Sequence, residues 1–342
     1  MTKAKAKEML KTQKYGSYWE RNRASGGYLF KKDVMNFFVK VCRFVLLFGM
    51  CFLILQPILN KISVSFMEES DLYNPIVVSI PTKFTAENYI MAANIMQYGK
   101  GLKNSTVISL TIALLQTAMC TIVGYGFARF KFPLKKMWFA FVLALIIIPP
   151  QAFSSSLYLH FRYWDFLGII RAIKGEGLNL RGSVLPYYLM SAGCMGLKNG
   201  LYIYLVRQFF RNIPIDLEEA AYVDGCGMFK TFTRIMLPQS KPIITSCFLF
   251  ALVWQWTDGF YSKLFLGGKV LVSTSLANVV DALGVYVARQ QGAVNEQVSV
   301  STQLSNCILS TGTLLIIMPI LLVYLFAQKA FVESIASTGI KM

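Results

Sequence analysis

The chain has 342 residues, of which 55% are hydrophobic and 15% are charged, and this composition excludes an ordinary soluble globular protein. The formal net charge of +17 could indicate nucleic-acid binding. The basic residues, however, lie between long apolar runs instead of forming one stripe. The charge therefore indicates membrane topology, and no nucleic-acid partner is expected.

Six apolar stretches are long enough to cross the hydrocarbon core as helices, which takes about 20 residues each. They are approximately residues 37–59, 104–128, 138–160, 184–207, 243–265 and 304–327. The first follows a polar tail and has no small-residue cleavage site behind it, so we predict a retained helix and not a secretory signal. The sequence thus predicts an all-α, polytopic membrane protein with six transmembrane helices.

Lys and Arg are distributed unequally between the connections. One alternating set, which includes both ends of the chain and residues 207–241, carries 22 of them, and the other set carries 11. Because cytoplasmic connections hold the excess of positive charge, the N and C termini and residues 207–241 are predicted to be cytoplasmic. The basic N-terminal tail is also expected to attract anionic membrane lipid.

These spans divide the chain into four parts. A basic cytoplasmic tail, 1–36, precedes the first transmembrane helix and its extracytoplasmic loop, 37–103. A five-helix core, 104–327, contains the cytoplasmic connection 213–242. A short cytoplasmic tail, 328–342, follows the last helix.

Sets of groups that could carry catalysis are missing from the sequence. There is one histidine, His160, and the seven cysteines show neither CxxC nor Cys/His metal spacing. No Ser/His/Asp, Cys/His or paired-carboxylate set can be assembled, and no GxxxxGKS or GxxxxGKT segment is present to hold nucleotide phosphates. We therefore predict no catalytic site, no metal site and no cofactor in this chain.

The connection between spans four and five reads IPIDLEEAAYVDGCGMFKTFTRIMLPQSKP, residues 213–242. Pro214 suits a first helical turn, and the acidic residues that follow it lie at the positive end of a helix dipole. Gly225 is expected to end this short helix in the left-handed conformation. A second amphipathic segment, residues 228–237, is predicted to stop before Pro238.

The first of these two helices is shaped for docking. Ala220 and Ala221 are too small to hold a partner surface away, so their face can lie close against another protein. An alternative is a structural hairpin between two spans, in which Glu218 and Glu219 serve only as charges at the start of a helix.

The spacing of this connection resembles the EAA loop of permease subunits from binding-protein-dependent ABC importers, in which the short helix seats in a groove of the ATPase. The residues that match this pattern or flank it, and that the resemblance assigns to ATPase coupling, are Glu218, Glu219, Ala220, Ala221, Asp224, Gly225, Ile235, Leu237 and Pro238. Two spacings match at once, which is far more specific than a single glycine motif.

A wider resemblance covers roughly residues 80–342 and is to the carbohydrate-uptake branch of that family, typified by maltose-type importers. FTAENY at 84–89 and YLVRQFF at 204–210 carry it. It implies a type I ABC importer permease fold in the bacterial cytoplasmic membrane and uptake of a sugar or oligosaccharide by alternating access. The implied partners are a second, different permease, two ATPase subunits that hold ATP and Mg, and an extracytoplasmic solute-binding protein.

Polar residues within two spans are candidates for the substrate pathway, because a polar side chain in the membrane is costly and functional by default. They are Lys198 and Asn199 in span four, and Trp254, Gln255, Trp256 and Asp258 in span five, where the WxWxDxF run resembles a family segment that borders the pathway. Aromatic faces beside amide and carboxylate groups suit a sugar. Equally, Lys198 and Asp258 could pair internally or face the second permease, with the tryptophans marking an interface.

Three further hypotheses stay open on sequence alone. Lys198 permits an acidic sugar in the pathway. The cargo could instead be another polar solute, such as a peptide or polyol, or the chain could be an ATP-independent channel or secondary transporter. Copurified ATPase subunits would separate the last possibility from the ABC permease.

Overall fold

A computed structural model describes residues 17–77, 80–292 and 298–339. Within those ranges there is no strand, and the only extended pairings are two isolated bridges, Met67 with Phe84 and Trp164 with Leu178. The all-α prediction is confirmed. The first sixteen residues of the predicted basic tail and the last three of the predicted C-terminal tail lie outside the described residues.

The chain divides into two compact units between Ser63 and Val64. The first contains α1 (Tyr18–Ala24) and most of α2 (Tyr28–Ser65), a 38-residue helix. A capping box starts α1, in which the Ser17 N–H donates to Glu20 Oε2 at 3.0 Å. Residues 28–36, which the sequence places in the polar tail, are already helical. The side chains along the apolar part of α2 are exposed, as a lipid-facing helix requires.

The second unit is a succession of helices of very different length. They are α3 (Glu69–Leu72), α4 (Glu87–Ile95), α5 (Tyr98–Arg129), α6 (Lys135–Ile147), α7 (Ser154–Arg162), α8 (Ile169–Lys174), α9 (Leu185–Ala192), α10 (Asn199–Asn212), α11 (Asp216–Val223), α12 (Met228–Thr231), α13 (Leu237–Gln239), α14 (Lys241–Trp256), α15 (Phe260–Phe265), α16 (Val272–Ala277), α17 (Val279–Gln290) and α18 (Thr302–Gly339). A 3₁₀ turn, Pro150–Phe153, precedes α7, and a π-helical turn, Phe232–Met236, joins α12 to α13.

Three helices are long and apolar enough to cross a membrane, namely α2, α5 and the part of α18 from Thr302 to Lys329. Two bent pairs raise the number among the described residues to as many as five. One is Lys135–Ile147 with Pro150–Arg162, bent by 103°, and the other is Met228–Gln239 with Lys241–Trp256, bent by 74°. The count of six crossings and the cytoplasmic position of both termini stay predictions.

Three of the six predicted spans are not continuous helices. Span three breaks at Pro149 and Pro150, because proline has no N–H and pushes the residue before it out of the helical region. Span four breaks between α9 and α10, where Cys194 and Lys198 have φ values of +56° and +62°. Span five breaks between α14 and α15, beside Asp258.

The core of the second unit forms around α5, which packs against α10 and α14. Tyr202, Val206 and Phe210 of α10 are fully or almost fully buried there. Gly124 of α5 allows the close approach, because a Cβ at that position would lie 2.7 Å from Val206 Cγ1. The C-terminal end of α10 is followed by α11, and its N-terminal end adjoins the break in span four.

Candidate functional site

The predicted coupling helix is α11, and the turn after it has the expected geometry. Gly225 has a φ of +77°, the left-handed conformation that glycine adopts without penalty. Two hydrogen bonds close the turn, from Gly225 N to Tyr222 O at 3.0 Å and from Cys226 N to Ala221 O at 2.9 Å. Such a cap ends a helix and sends the chain in a new direction.

The segment after this turn differs from the prediction, since it does not stop before Pro238. It runs from α12 through the π-helical turn into α13, which contains Pro238. Proline in a regular α-helix clashes with the carbonyl four residues earlier. A π-helical turn immediately before it widens the backbone at that point, so the helix continues as far as Gln239.

Glu218 is not on the docking face, because it is buried against the end of α5. Its Oε1 lies 2.9 Å from Nε of Arg129, and the two side chains are 6% and 10% exposed respectively. Arg129 Nη2 also donates to the carbonyl of Ile213 at 2.7 Å. Arg129 therefore fixes both the entry to α11 and its first turn, a role that local sequence spacing could not reveal.

The two alanines of the predicted docking helix differ in exposure. Ala221 is 3% exposed and packs inside the chain, whereas Ala220 is exposed beside Glu219. The prediction that both alanines present a docking face is wrong for Ala221. The exposed surface here is instead completed by large apolar side chains, with Val223 87% exposed and Phe229 79% exposed.

The remaining predicted coupling residues lie around this surface. Asp224 and Pro238 are exposed, whereas Ile235 and Leu237 are half-buried. The π-helical turn is held to the core by Phe232, whose ring centroid lies 4.7 Å from that of Tyr125 on α5. We call the exposed group Glu219, Ala220, Val223 and Phe229 the coupling face.

A cavity of about 740 Å³ lies where the three broken spans meet. Its wall includes residues 145–151 at the proline break, residues 195–198 before α10, and residues 257–261 between α14 and α15. Irregular backbone at membrane depth is tolerated where it lines a cavity. The interruptions that hydropathy did not detect therefore build this site together.

Three of the six predicted pathway residues, Lys198, Trp254 and Asp258, line the cavity. The ammonium of Lys198 lies 4.8 Å from the ring centroid of Trp254, a cation–π contact. The cavity wall does not include Asn199, Gln255 or Trp256, which are all buried.

Two of these buried residues are engaged in packing. Asn199 Oδ1 accepts a hydrogen bond from Gln116 Nε2 at 2.6 Å. The indole N–H of Trp256 donates to Ile316 O at 3.2 Å. Both contacts tie helix ends near the cavity to neighbouring helices.

Asp258 caps α15 and does not pair with Lys198. Its Oδ2 accepts hydrogen bonds from the Tyr187 hydroxyl at 2.6 Å and from Ser262 N at 2.9 Å. Its Oδ1 accepts from two further backbone N–H groups, both at 3.2 Å. The internal pairing considered from sequence is absent among the described side chains.

Sequence reasoning missed the polar side chains that the proline break brings to the cavity. Gln151, Ser156 and His160 line it from the 3₁₀ turn and α7, and Thr257 faces them from the end of α14. The Pro149-Pro150 pair was the available signal, since paired prolines inside an apolar run indicate a broken helix.

Comparison with known proteins gives several matches. Residues 120–337 match the protein family described as "Binding-protein-dependent transport system inner membrane component". A probable ABC transporter permease protein of Pyrococcus horikoshii is 30% identical over 188 residues, which cover 54% of this chain and 62% of that protein. The chain thus spans less than two thirds of that relative's length. The maltodextrin transport system permease protein of Bacillus subtilis is 23% identical over 302 residues, 88% of this chain and 96% of that protein.

The fold also has a counterpart among solved structures. A crystal structure of a bacterial ABC transporter involved in the import of the acidic polysaccharide alginate contains a chain that matches with a TM-score of 0.62. The match covers 87% of this chain and 98% of that chain at 15% sequence identity. At this identity the likeness concerns the fold alone.

Proposed function

The chain belongs to the family of binding-protein-dependent transport system inner membrane components, as an ABC importer permease of the plasma membrane, and from that membership we propose that it imports a sugar or oligosaccharide by ATP-driven transport. The predicted polytopic, all-α ABC importer permease fold is confirmed. Its relatives include a probable ABC transporter permease protein and a maltodextrin transport system permease protein.

The coupling face is the observation that carries the proposal. It combines a helix of 8 residues, a left-handed glycine turn and two large apolar side chains that none of the described residues covers. Exposed apolar side chains in a contiguous group mark an interaction site. We propose that this face docks on a separate ATPase subunit, which supplies the ATP hydrolysis and the bound ATP and Mg.

The proposed assembly contains this chain, a second and different permease, two ATPase subunits and an extracytoplasmic binding protein that delivers the cargo. The cavity supports a pathway role, since a concave and mostly apolar site with a few polar groups is typical of small-molecule binding. The maltodextrin permease of Bacillus subtilis, which matches along most of the chain, supports a sugar as the cargo.

In the proposed cycle, ATP closes the two ATPase subunits and moves the docked helices together. That motion passes from α11 into α5 through the Arg129–Glu218 pair and opens the cavity towards the extracytoplasmic side. Alternating access of this kind requires that loaded binding protein and ATP favour the same conformation.

Substitution of Val223 tests the coupling face directly. Val223→Asp places a charge in an apolar contact, and we expect recovery of ATPase subunits with the tagged permease to fall about tenfold, equivalent to about 1.4 kcal/mol of binding free energy. Because Val223 is 87% exposed in the chain, the permease itself should fold as before. Val223→Thr, which keeps the shape without a charge, is the matched control and should retain most of the ATPase.

The same purification separates the proposal from its alternatives. Recovery of the unaltered chain from its own membranes without stoichiometric ATPase subunits would support a channel or secondary transporter. Equal recovery from the Asp and Thr variants would show that the ATPase docks elsewhere.

A further inference from the structure

Lys198 contributes the accessible charge of the cavity. We propose that this lysine selects a carboxylate-bearing sugar, a uronate-containing oligosaccharide, as the cargo, with the sugar carboxylate paired to its ammonium. This inference rests on the proposed import function and names the class of sugar within it.

The other charged group on the cavity wall is occupied by the protein. Asp258 is 6% exposed, and its carboxylate accepts the Tyr187 hydroxyl, the Ser262 hydroxyl and three backbone N–H groups. A carboxylate whose acceptor positions are filled this way offers little to a solute. Among the Lys, Arg, Asp and Glu side chains of the wall, that leaves Lys198 to act on the cargo.

Lys198 is held in place without using its hydrogen-bond donors. The ring of Trp254 lies 4.8 Å from its ammonium, and a cation–π contact involves the face of the ring and no acceptor atom. Among the side chains that the structure describes, no carboxylate pairs with Lys198, and none of its three N–H groups has a protein acceptor there. A half-buried ammonium without an acceptor is stabilised when an anion binds to it.

The backbone at Lys198 is a second, independent observation. Its φ of +62° lies in the left-handed region, where glycine or asparagine is favoured and a long side chain is disfavoured. Strained residues of this kind cluster at ligand sites, where the side chain is needed despite its backbone. Lysine at this position is explained by a function of its ammonium and not by the geometry of the turn.

The rest of the wall suits the neutral part of a sugar. Gln151, Ser156, His160 and Thr257 provide hydrogen-bonding groups for hydroxyls, and Trp254 provides an aromatic face. Most of the remaining wall is apolar. Such a site holds a solute by shape and hydroxyl contacts and uses the ammonium of Lys198 to discriminate between solutes.

Uptake of paired sugars by cells with the complete transporter tests the proposal. The probes are short oligogalacturonates and oligomannuronates, each compared with the same oligosaccharide reduced at its carboxyl groups to the neutral sugar. We expect at least one acidic probe to enter about tenfold faster than its neutral counterpart, the ratio that one ion pair of moderate strength provides.

Three variants identify the source of that preference. Lys198→Asn removes the ammonium and tolerates the left-handed backbone, so the assembled complex should be recovered in normal amount while the acidic preference is lost. Lys198→Arg keeps the charge and should keep most of the preference. Lys263→Gln removes an exposed lysine that does not line the cavity and should change nothing.

The outcomes distinguish this inference from the proposed function. Faster ATP-dependent uptake of the neutral probes, or an acidic preference that survives in Lys198→Asn, overturns the acidic cargo and leaves the importer intact. Absence of ATP-dependent uptake for every probe counts against both. Loss of the preference in Lys198→Asn but not in Lys198→Arg supports the assignment.

Discussion

At the scale of single residues, the Arg129–Glu218 pair decides where α11 lies. Burying two charges costs desolvation of both, and only close geometry offsets that cost. Here the 2.9 Å separation is joined by a hydrogen bond from Arg129 to the Ile213 carbonyl. An apolar pair could fill the same space but could not hold both ends of the turn before α11.

Breaking this pair on one side should destabilise the permease. Glu218→Gln leaves the arginine charge buried without its partner, and we expect a loss of about 3 kcal/mol in the free energy of unfolding. Thermal unfolding of the purified chain in detergent measures it. Glu219→Gln, on the exposed side of the same helix, is the control and should change that free energy by less than about 0.5 kcal/mol.

The double variant Arg129→Met with Glu218→Met completes the cycle. Removing both charges together should restore much of the stability that Glu218→Gln loses. The single variants Arg129→Met and Glu218→Met supply the other two corners, and if their losses simply add up to the loss in the double variant, the two side chains do not interact.

The sequence places Glu218 among the residues that couple to the ATPase, with a helix-start charge as the alternative, because spacing along the chain does not report a partner on another helix. Arg129 lies 84 residues before Ile213, the residue whose carbonyl it binds. The left-handed Gly225, by contrast, follows from local chemistry and was predictable. The sequence therefore predicted the conformation of residues that depend on their neighbours along the chain. It did not predict the partners of residues that are held by tertiary contacts.

At the scale of helices, the crossing of α5 and α10 depends on the missing side chain at Gly124. A Cβ there would lie 2.7 Å from Val206 Cγ1 and 3.2 Å from the backbone nitrogen of Arg207. Backbone cannot yield as a flexible side chain can. The crossing therefore has no room for a side chain at position 124.

Gly124→Ala should overpack this crossing and destabilise the permease by about 1–3 kcal/mol. Gly49→Ala in α2 is the matched control, because nothing lies within 4 Å of a Cβ at that position. Thermal unfolding of both variants in detergent gives the comparison. Partial recovery in Gly124→Ala with Val206→Ala would locate the clash, whereas equal effects at the two glycines would contradict it.

The long helices were predicted and the broken ones were not, although the paired prolines were a signal for the break in span three. A continuous apolar run fixes a helix such as α5 because every backbone group must bond within it in hydrocarbon. Average hydropathy is unchanged when such a run is interrupted by a capped turn, as at Asp258, or by left-handed residues, as at Cys194 and Lys198. For this reason the sequence did not predict the cavity, although three of the six predicted pathway residues lie on its wall.

At the scale of the whole molecule, stability in acid depends on carboxylates that are bonded in the folded state. The Thr82 hydroxyl and the Lys83 N–H hydrogen-bond to Asp71 and hold the pKa of that carboxyl below its usual value. These bonds tie α3 to the residues before α4. A depressed pKa contributes stability that is complete above the unfolded value, about 4, and is lost as pH falls through the folded value.

Asp71→Asn should therefore be less stable than the unaltered chain at pH 7, and the difference should shrink as the pH falls below about 4. Urea unfolding of the two proteins at a series of pH values measures it. Asp281→Asn, a carboxylate at the start of α17, serves as the control. A difference between the Asp71 proteins that is constant with pH would exclude ionisation of Asp71 as its cause.

Three helix breaks meet at one cavity, and substitutions at these breaks therefore differ in effect from substitutions in the long helices. We expect substitutions at the breaks to alter short turns and to leave the packing of α5 against α10 and α14 as it is. Substitutions between those helices, away from Trp254 and Gly200, should alter their packing and leave the wall of the cavity in place. On the proposed import function, the exchange of a few turn residues would therefore change which cargo the cavity accepts, while the helix packing between the coupling face and the cavity stays the same.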